Sequence, residues 1–319
     1  MVRLTLARII NSLVVMAIVA LLTFALIGAA PGTYLDELSA NPQISSDLLA
    51  RMREQYGLDQ PFYRNFWQWG RDVMRGDLGY SFAYHRPIRQ LVGERVWNTF
   101  LLNGVALAAA WILGVALGLA AAARRGSFID WAIGGGTAIL MSTPTVILAV
   151  LLLAGGAQIG LPIGGLYIPA VNGQNFAART TDLARHLLLP AAAVTAVWLP
   201  AIARHTRGAV VSALQEPHML AARARGIGHG RLLLVHAFRE SLNPLSSLLG
   251  PSVSALVSAS LLVEVVMSWP GIGHLMYDAV LKRDIFLVVN LVQLSALFLL
   301  AGNIVGDLLL RAVDPRAAA

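Results

Sequence analysis

A chain of 319 residues that is 57% hydrophobic and 13% charged carries more apolar surface than a soluble core of its size can bury. Its net charge of +7 comes from arginines scattered among hydrophobic runs, with no basic stripe interleaved with aromatics, so the charge points to membrane orientation and not to nucleic acid. Cysteine is absent, which excludes disulfides and thiolate chemistry. The only lysine, Lys282, precedes Arg283, which excludes a phosphate-cradling Gly-Lys-Ser/Thr loop.

A hydrocarbon core about 30 Å thick needs about 20 apolar residues per spanning helix. That ruler predicts an all-α integral membrane protein with six transmembrane helices, at 9–30, 98–123, 131–157, 185–203, 244–268 and 285–310. The first follows Arg3 and Arg8, but its apolar run exceeds the about 7–15 residues of a signal-peptide core, so it is expected to stay as an anchor. Residues 1–97 then form an anchor helix with an extracytoplasmic segment, and 98–319 a five-helix core.

In the extracytoplasmic segment, residues 46–57 predict a helix capped by Ser46 and stopped by Gly57. Residues 61–74 (PFYRNFWQWGRDVM) predict an aromatic-rich helix, either lying at the lipid headgroups or packed as a surface cap. The second span carries small residues at Gly104, Ala108, Gly114 and Gly118, a spacing that lets helix backbones approach closely in lipid. Pro144, Pro190 and Pro200 remove helical hydrogen bonds and predict kinks. Arginine-rich short loops, including Arg124, Arg125 and those of 204–243, put both termini in the cytoplasm.

The loop 204–243 reads helix, glycine, helix. Glu216 and Pro217 open a short helix, since proline suits the first turn and an acid there complements the helix dipole. His218, Met219, Leu220, Ala221, Ala222, Arg223, Ala224 and Arg225 continue it, and Gly226 supplies the left-handed residue that ends it. Such a helix fits either a groove on a soluble partner or the lipid interface. Farther on, Glu264 lies in the apolar run LLVEVVMSWP, where an acid costs about 2.5–3.5 kcal/mol unless it faces the bundle or water. It is a candidate gate residue or contact to a second subunit; the alternative is an acid satisfied by backbone donors of the Trp269-Pro270-Gly271 turn.

The residues LAARARG at 220–226 resemble the cytoplasmic loop of binding-protein-dependent ABC transporter permeases, matching the E-A-A-x-x-x-G pattern at Ala221, Ala222 and Gly226. They look more closely like the dipeptide, oligopeptide and nickel subfamily at Ala222, Arg223, Ala224 and Gly226. Pro217, Leu220 and Ala221 depart from it. APG at 30–32, GLDQP at 57–61, RGDLGYSF at 75–82, RRGSFID at 124–130, SWPGIG at 268–273 and DPR at 314–316 are similar to that subfamily in the same order.

The resemblance implies the type I importer fold in the bacterial or archaeal inner membrane. It implies a second homologous permease, two ABC ATPase subunits and an extracytoplasmic binding protein, with Glu216 to Gly226 as the helix that couples to an ATPase. No cofactor is expected on this chain; ATP and magnesium belong to the ATPases. The implied cargo is a di- or oligopeptide, with nickel, haem, glutathione or an oligosaccharide as alternatives. A self-sufficient channel or secondary transporter is the reading from another class, with a membrane enzyme behind it. The histidines form no HExxH, GxSxG is absent, and no catalytic or metal residue is assigned. Asn290, Gln293, Asn303 and Asp307 receive no role.

Overall fold

The computed structural model describes residues 2–29, 60–166, 176–254 and 256–313. The helix expected at 46–57, the APG and DPR elements and most of GLDQP lie outside them. Helices dominate: α1 (Val2–Ala29), α2 (Phe62–Met74), α3 (Ile88–Ala123), α4 (Phe128–Ser142), α5 (Thr145–Gln158), α6 (Phe176–Leu214) and α7 (Pro217–Ala224). A turn α8 (His229–Arg231), a π-helical segment (Leu232–Ala237), α9 (Phe238–Ser254), α10 (Leu256–Val266), α11 (Ile272–Leu281) and α12 (Ile285–Val313) follow. The two short strands β1 (Tyr80–Ser81) and β2 (Arg86–Pro87) pair antiparallel, Tyr80 opposite Pro87.

Among the described residues, four helices are long and apolar enough to cross a bilayer: 10–29 of α1, α3, α6 and 285–304 of α12. The span expected at 131–157 is a broken one, since α4 and α5 bend by 108°. Pro144 causes the break. It has no N–H to donate and its ring drives the preceding residue out of the helical region, leaving Thr143 extended at φ −88, ψ 122. The span expected at 244–268 is α9 followed by α10, and α9 already begins at Phe238. Conversely, α6 stays one helix through Pro190 and Pro200 and continues to Leu214, so the connection expected from 204 opens at Gln215. The stretch 201–214 is rich in Ala, Val and Arg, with nothing in it that stops a helix.

The chain divides into two compact units, 1–98 with 271–300, and 99–270 with 301–319. In the first, Ile88 and Leu91 of α3 pack with Ile272 and Leu275 of α11 and Leu287 and Leu291 of α12. Phe24 of α1 meets Phe66 and Trp69 of α2 edge-on, with centroids 6.2 and 5.7 Å apart.

In the second unit, α6 is the central element, packed against α4, α5, α9 and α10. Its core joins Leu102 and Ala106 of α3 with Leu187, Ala193 and Val194 of α6, and with Val263, Met267 and the fully buried Trp269. The GxxxG of α3 sits on α6: a Cβ added at Gly114 would lie 2.9 Å from Ile202 side-chain atoms, and one at Gly118 would lie 2.6 Å from the Ala203 carbonyl oxygen. Glycine is required there by closeness, as lipid-embedded helix pairs demand. Gly104, ten residues before Gly114, has open space where its Cβ would be.

Candidate functional site

The short helix α7 is built as its sequence directs. Glu216 is its N-cap in extended conformation, Pro217 occupies the first turn, and Gly226 takes φ +85. The Gly226 N–H donates to the Arg223 carbonyl at 3.0 Å and the Ile227 N–H to that of Ala222 at 3.3 Å, the pair of bonds that closes a helix around a left-handed residue. One side of the helix is fixed. Met219, 4% exposed, enters a cluster with Val210 and Ala213 of α6 and Leu232, Leu233 and Ala237 of the π-helical segment. The other side is open: Leu220 is 55% exposed, and Ala221, Ala224 and Arg225 are exposed beside it.

A second tie runs from His218 Nε2 to Glu240 Oε2 of α9, 3.2 Å apart and open to solvent. An exposed pair of this kind contributes about 0–1 kcal/mol, so Met219 supplies the grip and the pair the orientation. Helix α7 is therefore joined to α6 through Gln215 and Glu216, to the π-helical segment through Met219, and to α9 through His218.

The RRGSFID element forms a locked turn at the start of α4. Ser127 caps the helix by accepting from the Asp130 N–H, and the Gly126 N–H donates to Asp130 Oδ2 at 2.9 Å. Arg207 of α6 clasps both oxygens of the same carboxylate, Nε to Oδ1 and Nη2 to Oδ2, the latter at 2.7 Å. The fork geometry of guanidinium fixes the turn against α6 in both distance and angle. No local signal pairs residues 77 positions apart, and the sequence alone did not find this contact.

Glu264 is fully buried in the second unit. Its carboxylate accepts from the Thr99 hydroxyl at 2.9 Å and from the Ser260 hydroxyl at 3.2 Å, and Asn103 Nδ2 donates to Ser260 Oγ at 2.9 Å. A chain of polar groups from α3 and α10 thus surrounds the acid that the sequence placed in an apolar run. Close by, Ser268 holds φ +49, and Trp269 N–H donates to the Glu264 carbonyl at 2.9 Å, closing α10.

In the first unit, a polar knot joins the hairpin to α11 and α12. Asp284 is fully buried, caps α12 by accepting from the Leu287 N–H at 3.2 Å, and accepts from Ser81 Oγ at 2.6 Å and the Ala83 N–H at 3.1 Å. The RGDLGYSF element thus has a mechanical meaning: Asp77 Oδ1 accepts from the Gly79 N–H at 2.9 Å to turn the chain, and Ser81 fastens it to Asp284. Nearby, Tyr84 donates to Asp278 at 2.9 Å, and Lys282 Nζ lies 4.3 Å from its ring centroid. Burial first, and then the Asp278 carboxylate accepting its proton, push the Tyr84 phenol up to about 12. Asp284 was missed in the sequence, although an acid directly before an apolar helix is an N-cap signal.

Comparison with known proteins adds identity to this geometry. The pattern described as "Binding-protein-dependent transport system inner membrane component" matches residues 114–319, and its N-terminal companion matches 1–103. The probable peptide ABC transporter permease protein y4tP of Sinorhizobium fredii is 31% identical over 312 residues, covering 98% of this chain and 97% of that one. The glutathione transport system permease protein GsiC of Salmonella typhimurium is 31% identical over 312 residues, covering 97% of each. The oligopeptide transport system permease protein AppB of Bacillus subtilis is 28% identical over 310 residues, again covering 97% of each. Among solved structures, the inward-facing MetNI methionine ABC transporter contains a chain that this one resembles with a TM-score of 0.56 at 21% identity, over 70% of this chain and 97% of that one. The last likeness establishes the fold, that of a type I ABC importer permease.

Proposed function

The chain belongs to the binding-protein-dependent transport system inner membrane components, and from that premise we propose that it forms half of a translocation path for di- or oligopeptides or a similar small solute. The peptide and glutathione relatives support this cargo class. Nickel, haem and oligosaccharides are the alternative cargoes. The other half of the path is a second homologous permease. Two ABC ATPase subunits, carrying ATP and magnesium, face the cytoplasm, where both termini of this chain lie, and a binding protein delivers solute from outside.

Helix α7 and its flanks, Glu216 to Gly226, form the coupling helix. The observation that carries this reading is its two-sidedness: Met219 is clamped into the chain's own cluster while Leu220, Ala221 and Ala224 offer a small-residue face to a partner groove. When the ATPases close on ATP, they draw this helix along. The pull reaches α6 through the chain and α9 through His218 and Glu240. Glu264, inside the bundle, is proposed as a gate residue.

Deleting residues 217–225 is expected to abolish co-purification of the ATPases and solute-stimulated ATP hydrolysis, while the remaining chain still inserts in the membrane. Retention of both activities would defeat the coupling role. Purified chain reconstituted alone is expected to give no solute flux; flux without an ATPase would favour a self-sufficient transporter.

A further inference from the structure

Where spanning helices of the second unit expose side chains, most of those side chains suit lipid: Ile112 of α3, Ile139 of α4 and Leu151 of α5 are 69, 68 and 61% exposed. Helix α9 differs. Its exposed positions Glu240, Asn243, Pro244, Ser247 and Pro251 recur at intervals of three and four, so they form one continuous face without a large apolar side chain, while exposed Arg239 and Leu242 lie off that face. The opposite face packs Ser241, Leu245 and Ser252 inward. A carboxamide turned to hydrocarbon leaves its donors and acceptor without partners, which lipid cannot supply.

The N-terminal part of this face, Glu240 and Pro244, lines a cavity of about 640 Å³ between α6 and α9. Its lining includes Arg204, His205, Gly208, Ser212, Glu240 and Pro244, and not one Leu, Ile, Val or Phe. In a chain that is 57% hydrophobic, a cavity without a large apolar side chain is a place for water. Charges of both signs meet there.

Resting on the importer reading above, we infer that the exposed face of α9, with His205, Gly208 and Ser212 of α6, is the wall of the cytoplasmic half of the solute path. A wall of small residues, hydroxyls and mixed charge slides past a zwitterionic solute such as a peptide without holding it, whereas a single-sign ring would select an ion. The wall is also continuous with the coupling helix, because Glu240 both lines the cavity and pairs with His218.

The absence of native cysteine makes the test direct. Asn243→Cys, Ser247→Cys and Ser212→Cys, one at a time in the assembled transporter, are treated with a membrane-impermeant methanethiosulfonate in inverted vesicles, with Ile112→Cys and Leu151→Cys as lipid-facing controls. A thiol reacts as thiolate, and each unit by which an apolar environment raises its pKa slows it about tenfold, so the wall positions are expected to label at least about tenfold faster than the controls. Labelling at Ser247→Cys is further expected to block uptake. Labelling of the wall positions at the control rate would overturn the assignment by making the face lipid-bound. ATP hydrolysis stimulated by solute, measured on the same unlabelled vesicles, reports on the importer reading separately. Its persistence with unreactive wall positions sinks the wall and leaves the importer standing.

Discussion

Asp284 and Glu264 are both fully buried acids held by hydroxyl donors, and they are expected to respond differently to removal. Asp284 caps a helix and anchors a hairpin at once, so Asp284→Ala removes the cap and leaves the Ser81 hydroxyl and the Ala83 N–H without that acceptor. Summing a lost cap and one stranded buried donor gives about 2–4 kcal/mol of destabilisation, readable as earlier thermal unfolding in detergent. Asp284→Asn, which keeps an acceptor oxygen, is expected to recover part of it; equal losses in the two variants would contradict the hydrogen-bond account. Glu264→Ala tests function instead. If this acid is part of a gate, uptake falls while the subunits still co-purify, and unchanged uptake would strip it of that role. The sequence exposed Glu264 because an acid in an apolar run is conspicuous, and hid Asp284 because its partners lie some 200 positions away.

Helices meet in this protein where side chains vanish. At Gly118 an added methyl group would stand 2.6 Å from both the Ala203 carbonyl oxygen and the Thr206 Cβ, so the helices must separate to admit it. Gly118→Ala is expected to cost about 1–3 kcal/mol and to lower the yield of folded protein in detergent, the usual penalty of overpacking. Gly104→Ala, with open space in front of it, is the control and should be nearly neutral or mildly stabilising. Equal effects at the two sites would show that helix propensity, and not close approach, governs both. The spacing GxxxG was readable in the sequence; which of the small residues carried the contact was not, because periodicity names a face without naming what lies against it.

For the molecule as a whole, the long apolar spans of α1, α3, α6 and α12 and the short helix after Glu216 were legible from residues alone, since each depends on local chemistry. Boundaries were less so. Pro144 announced a disruption but not a bend of 108°, and α6 overran its predicted end by eleven residues because nothing in 204–214 halts a helix once the bilayer is passed. The polar face of α9 was hidden by the prolines and serines that also mark loops. The π-helical segment Leu232–Ala237 bears on that face. Wider by almost a residue per turn than the α-helix it interrupts, it acts as a vernier between α7 and α9. Dropping one residue there would turn α9 about 100° about its axis and carry Ser247 into the buried place now held by Ser246, breaking up the polar face. The length of this small stretch is therefore set by angle, much as the teeth of a gear fix which spoke points down.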